Sequence, residues 1–451
     1  MSTVTPTGAI QEVGVDELFF STTDNRGVIQ RSNEVFVRLS RHPREELKDA
    51  PHNIIRHPDM PGGAFKVMWD TLTAGEPFAA YVRNLAADGS EYDVFATVTP
   101  LPDGGYLSVR SRPMCEDIYE TALDIYRDAR EVEVAALEGG KNRRDAAVDG
   151  VGRIVERVGY LGLNSYEELQ LIALPEEVTA RAKASEGIPY RPEATGQLAD
   201  LLTAAHELDE ALSAWTAHQE ELVKLAGELR RLGADLTAAT KDRRLAPEKV
   251  AALDRSIPAV RALGEMLDLW TRMQSNVQQP ADGLLDRLSA LALSAGRAGF
   301  RIALARLHTD VIANFTVELI DNVGDHETSV HALPDLAASL RDGLKKLDEQ
   351  NKAYLQYAIE AVRAVEHTAV FMEMPHQLLK MWTESGLKGS LPPEAALMSQ
   401  VTERLVIVVG NHLEQLKAVA ARCGELGEDS DLTRVRTKLE RVCDIAESIT
   451  D

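Results

Sequence analysis

Arg56, His57 and Asp59 fall within one short segment opened by Pro51 and closed by Pro58 and Pro61. Prolines at both ends pre-set the backbone and keep a helix from forming there. A guanidinium at Arg56 suits an anionic group, and it can meet that group through two parallel N–H donors. The His57 imidazole can stack or hydrogen-bond. The same residues also read as a proline-stiffened loop whose charges pair with one another. Trp69 falls on a helical stretch, where its inward face can pack against a flat ring. Asn84 falls in a strand and offers both a donor and an acceptor. The plainer alternatives are a core tryptophan and a strand-end turn asparagine. His52 and His57 could each offer an axial nitrogen to haem.

These residues need a scaffold, and the first 113 residues supply its signals. Leu18–Thr23 and Val28–Ser32 read as strands joined by an Asp24-Asn25-Arg26-Gly27 turn. Asn33–Leu39, Pro43–Asp49 and Ala64–Thr73 read as helices. Pro77–Ala86, Glu91–Pro100 and Tyr106–Ser111 read as three more strands, joined by Asp88-Gly89 and Asp103-Gly104-Gly105 turns. In the middle one, Tyr92, Val94, Ala96 and Val98 share one face, and Asp93, Phe95, Thr97 and Thr99 the other. The order β-β-α-α-α-β-β-β predicts one antiparallel sheet with helices on one face and a concave space between them.

At the residue level this stretch resembles the FAD-binding PAS domain of bacterial aerotaxis receptors. The resemblance rests on Ser21–Asp24, Asn33–Phe36, the run His52-Asn53-Ile54-Ile55-Arg56-His57-Pro58-Asp59-Met60-Pro61, Met68-Trp69, Gly75–Pro77 and Arg83-Asn84. It covers residues 15–113, about a quarter of the chain. It implies a five-stranded α+β PAS domain that binds FAD. It also implies pocket roles for Arg56, His57, Asp59, Trp69 and Asn84, with Asn33, Phe65 and Tyr92 at matching positions. Arg56 would face the pyrophosphate, and Asn84 the polar edge of the isoalloxazine. Phe78 stands where those receptors carry a tryptophan, and Leu85-Ala86-Ala87 is neutral where they are basic. No cysteine lies between Asn33 and Thr73, which excludes cysteinyl–flavin photochemistry.

Beyond residue 113 almost everything reads as helix. Residues 1–14 form a cap or tail, 15–113 the PAS domain, 114–140 a connector and 141–451 a helical bundle serving as transmitter or scaffold. In the connector, Ile118, Ala122, Ile125, Ala129, Val132 and Ala136 are spaced as an a/d seam, which predicts a coiled-coil-like helix and a homodimer; the competing reading packs the seam inside the chain, against the bundle that begins after Gly140. Helix breaks are expected near Gly159–Ser165, Glu186–Pro192, Leu245–Pro247, Gln279-Pro280, Val323–Asp325 and Gly386–Pro393. Leu291–Ala295 with Ala298-Gly299 faintly resembles the hairpin tip of chemoreceptors, at most a diverged tail of that kind.

The chain has 451 residues, 27% of them charged and 44% in the hydrophobic set, enough to bury a core. Its net charge of −22 argues against nucleic-acid or anionic-membrane partners. Cys115, Cys423 and Cys443 lie too far apart for a disulfide framework or a zinc knuckle, so no metal centre is expected. The N-terminus lacks a basic region followed by an apolar one, and the longest apolar run, near Leu405–Val409, is short for a membrane span. A cytoplasmic location is therefore expected. No phosphate-binding loop, HExxH or GxSxG occurs. His206-Glu207 and His326-Glu327 stand without the glycine-rich ATP domain that a kinase needs, so no enzyme is expected. The expected function is a flavin-based sensor of redox state or oxygen that signals through its helices to a protein partner. The rivals are a ligand-free PAS dimerisation module on a helical scaffold, and a haem or other small-ligand sensor.

Overall fold

In the computed structural model, residues 4–240, 243–323, 326–387, 391–428 and 432–449 are described. The five expected strands are present: β1 (Phe19–Thr23), β2 (Ile29–Ser32), β3 (Phe78–Leu85), β4 (Glu91–Pro100) and β5 (Tyr106–Ser111). They form one antiparallel sheet in the order β2-β1-β5-β4-β3. The β1–β2 turn is fixed locally. The Asp24 carboxylate accepts from Arg26 N at 2.8 Å and Val28 N at 2.9 Å, and Gly27 takes a φ of 78°.

Between β2 and β3 run α1 (Glu34–Ser40), α2 (Arg44–Leu47), a 3-10 turn at His52–Ile55, and α3 (Gly62–Thr73). Helix α3 starts two residues before the expected Ala64. The cause lies far away in sequence: the Glu133 carboxylate accepts from Gly62 N and Gly63 N, both at 2.7 Å. It supplies the cap that Pro61 has no side-chain group to provide.

Both faces of the sheet are buried, where one was expected to carry helices. Phe19, Tyr92 and Val94 pack on the inner side with Ile29, Phe36 and Leu39. Phe20, Tyr81, Phe95 and Val109 belong instead to a core shared with later helices. The ring of Phe20 meets that of Phe315 edge-on at 5.2 Å.

Three of the six seam positions, Ala122, Ile125 and Ala129, are buried within the chain itself. Helix α4 (Glu116–Glu138) turns through Gly139-Gly140 into α5 (Arg143–Tyr160) and packs antiparallel against it, Asp128 pairing with Arg157 at 3.0 Å. Ala122, Ile125 and Ala129 are buried in one core with Ile154 and Val158. A 4-3-4 spacing shows that a stripe needs a partner helix but not whose helix it is; here α4 and α5 form a helical hairpin.

The remaining helices are α6 (Tyr166–Ala184), α7 (Gln197–Thr240), α8 (Pro247–Ala251), α9 (Pro258–Asp321), α10 (His326–Glu384), α11 (Pro393–Glu428) and α12 (Thr433–Ser448). The expected breaks at Gly159–Ser165, Glu186–Pro192 and Leu245–Pro247 are found, those near Val323–Asp325 and Gly386–Pro393 lie partly outside the described residues, and α9 continues through Gln279-Pro280. Buried Trp270 and Leu284 anchor that helix on either side of the proline. The expected bundle over 141–451 is divided between two compact units. One comprises Met1–Ala217, Gly296–Asp348 and Leu432–Asp451; the other comprises His218–Ala295 and Glu349–Asp431. The second unit has its own core, built on Leu229, Trp270, Leu288, Tyr354 and Trp382. Within the described residues, one helical stretch, Ala281–Asp321, is long and apolar enough to cross a membrane, and 56% of its most apolar window is buried within the protein.

His308 on α9 adds a pH term to stability. It is fully buried, with Nδ1 3.2 Å from Ser339 Oγ and Nε2 without a partner. Burial depresses its pKa from 6.5 to about 3. A base held neutral when folded adds stability that is complete above the unfolded value. That stability falls as acid protonates the unfolded chain, from about 6.5 down through about 3. A His308→Gln variant should lose less stability than the parent across that window in denaturation at stepped pH. Parallel curves would contradict this.

Candidate functional site

A cavity of about 370 Å³ lies between the inner face of the sheet, the 3-10 turn and α3. Two periodicities build it. On α3, Phe65, Met68, Trp69 and Leu72 line it at helical spacing, and on β3, Phe78, Ala80, Val82 and Asn84 line it at alternate positions. Ala96 and Val98 on β4, and Tyr106, Ser108 and Arg110 on β5, complete the floor.

The lining contains Arg26, Arg56, Arg110 and His52 but no aspartate or glutamate. In a chain of net charge −22, this cavity is locally positive. Apolar walls with a few converging cationic and amide groups suit a flat, largely apolar ring that has a polar edge and an anionic arm.

Four of the eight expected site residues line the cavity. Arg56 lies with its guanidinium 3.9 Å from the Phe65 ring centre and donates to Met60 O at 3.3 Å. Burial lowers its pKa, and the nearby Glu133 carboxylate opposes that shift. Trp69 sits half-exposed, edge-on to Tyr106 at 5.4 Å, with its ring against Gly27. Asn84 is 3% exposed, and its Nδ2 has no hydrogen-bond partner. A buried amide donor without a partner costs free energy unless something fills the role. Its backbone bridges to that of Arg56, so the two side chains are set by one local contact.

The other four do not line the cavity. His57 is buried, with Nδ1 accepting from Asp59 N at 3.2 Å and Nε2 3.6 Å from the Glu91 carboxylate. Asp59 is exposed on the far side of the loop. The chain is extended at Arg56 (φ −74°, ψ 123°), so neighbouring side chains diverge and only Arg56 turns inward. Asn33 is the α1 cap: its Oδ1 accepts from Phe36 N and Phe20 N, and its Nδ2 donates to Leu18 O at 3.0 Å. Tyr92 is wholly buried beneath the floor against Phe19, and burial raises its pKa.

Arg110 was missed. It is 5% exposed, donates to Ser21 Oγ at 3.1 Å and to His52 Nε2 at 2.5 Å, and lies 5.0 Å from the Phe19 ring centre. Burial lowers its pKa to about 10. No ion-pairing carboxylate offsets it among the described residues. Burial, and then the Arg110 charge, hold His52 well below 6.5, so its ring is neutral. Its Nε2 lone pair is engaged by Arg110, which leaves it a poor axial haem ligand. The strand alternation Tyr106, Ser108, Arg110 carried the signal for this residue.

The PAS fold family matches residues 31–109. The aerotaxis receptor of Escherichia coli (strain K12) is 41% identical over 107 residues, which is 23% of this chain and 21% of that receptor. A fungal LOV domain photoreceptor is a structural match at 18% identity and a TM-score of 0.19, covering 24% of this chain and 80% of that one. The N-terminal quarter of the chain is a PAS domain related to that of the aerotaxis receptor, and the helical remainder lies outside these matches.

Proposed function

We propose that the chain is a sensor of redox state or oxygen that holds FAD in its PAS cavity and reports through its helices to a protein partner. The observation that carries this reading is the cavity itself. Its walls are apolar and aromatic, its charges are all cationic, and Asn84 points an unpartnered amide into it. The likeness of this segment to the aerotaxis receptor supports the same reading. A bound flavin would supply reversible electron uptake. Asn84 and Arg110 would hold the polar edge of the ring, Phe65 and Met68 would cover its face, and Arg56 with Arg26 would meet the pyrophosphate. Neither His57 nor Asp59 has a direct role here; they brace the loop that presents Arg56. The chain acts as a receptor rather than a catalyst. If it forms a homodimer, a surface other than the α4 seam serves.

Titration with FAD tests this. Asn84→Ala and Arg56→Ala each remove one polar contact to the ligand. Each should weaken FAD binding roughly 10- to 150-fold while leaving the thermal unfolding of the domain nearly unchanged. Parent-like affinity in both variants would mean that the cavity is not the FAD site.

A further inference from the structure

We propose that α6, rather than the helix leaving the PAS domain, reads the state of the cavity, and that Glu177 is the latch that joins it to the sheet. The proposal rests on the ligand-binding reading above and adds its regulation.

Strand β3 has a cavity face and an outer face. Ala80, Val82 and Asn84 line the cavity, while Tyr81 between them points outward. The Tyr81 hydroxyl donates to the Glu177 carboxylate at 2.7 Å. The same carboxylate accepts from Met114 N at 2.7 Å and Cys115 N at 3.0 Å, in the short segment between β5 and α4. Glu177 is 2% exposed, so one buried anion ties the sheet, its exit segment and α6 together.

Two further contacts fall on the same face of α6. β3 is an edge strand, and its Ala79 N–H donates to Gln170 Oε1 at 3.0 Å, where an edge would otherwise invite another strand. Tyr166 stacks on Phe78 with ring centres 5.4 Å apart and 13° between planes, and Phe78 itself lines the cavity. Positions 166, 170 and 177 follow helical spacing, so one stripe reads three points of one strand. Four residues further on, Arg181 donates to Val15 O at 3.2 Å and pairs with Asp310 on α9 at 2.5 Å. Helix α6 therefore links the cavity-lining strand to the N-terminal segment and to a long helix of the same unit. A shift of β3 must either carry α6 with it or break a buried charge-assisted hydrogen bond, which makes the junction two-state rather than elastic.

The test is hydrogen exchange on the full chain, free and saturated with FAD, with binding read separately by titration. In the parent, FAD should slow exchange across 166–184 roughly fivefold or more. Tyr81→Phe removes the sheet's bond to the latch without touching the cavity lining. It should bind FAD and bring that ratio close to one. Glu177→Gln, which keeps the side-chain shape but loses the charge, should reduce it in the same direction. Protection that appears only across 116–160, or a parent-like ratio in Tyr81→Phe, would overturn the proposal. Absence of FAD binding in the titration would overturn the ligand reading, and this proposal with it.

Discussion

Ile125→Glu is expected to destabilise the first unit by about 3–5 kcal/mol and not to yield a folded monomer. Ile125 is 2% exposed in the core that joins α4 to α5 and α6. A glutamate there loses the packing of a buried aliphatic chain and finds no cation in that core. It must either stay ionised without a partner or take up a proton, and both routes cost free energy. If the seam joined two chains, the same change would separate them and leave each folded. Denaturant unfolding followed by circular dichroism, with light scattering on the same sample, distinguishes the outcomes. A variant of parent-like stability and halved mass would contradict the α4–α5 hairpin.

Glu133→Ala should be nearly as damaging, at about 2–4 kcal/mol, and it should also weaken ligand binding. The Glu133 carboxylate is 3% exposed and caps two consecutive N–H groups at the start of α3. Removing it leaves both donors without an acceptor and withdraws a negative charge from the positive end of the helix. Packing leaves little room for a substitute. A Cβ on Gly63 would lie 2.7 Å from the Gly150 backbone, and one on Gly150 would run into the Glu133 carboxylate. Because α3 carries Phe65, Met68 and Trp69, fraying its first turn loosens one wall of the cavity. Faster amide exchange at residues 62–66, together with weaker FAD binding, is the expected pair of results. Unchanged exchange there would show that the cap is dispensable.

The sheet was legible because its signals are local. Turn residues such as Asp24–Gly27 and Asp88-Gly89 act over four positions, and alternation along β4 assigns faces without knowledge of the partner strand. The site was half legible for a related reason. A motif run marks a segment, but it does not tell which of Arg56, His57 and Asp59 turns inward. Asn33 has the donor and acceptor of a ligand contact and uses them to cap α1. Arg110 became visible only once β5 paired with β1 and the 3-10 turn brought His52 to it, contacts that span 58 and 89 positions of sequence. The α4 spacing marks a stripe that needs cover. Its cover, α5, follows Gly139-Gly140 directly, yet the spacing alone carries no address. Helix α9 passed an expected break at Pro280 because tertiary burial on both sides outweighs one missing backbone bond.

The central claim is that the PAS cavity holds FAD, and the visible absorption spectrum of the freshly purified chain tests it most directly. The account predicts two flavin bands, in the blue and the near-ultraviolet, with FAD rather than FMN released on denaturation. A colourless protein that also fails to take up added FAD would contradict it.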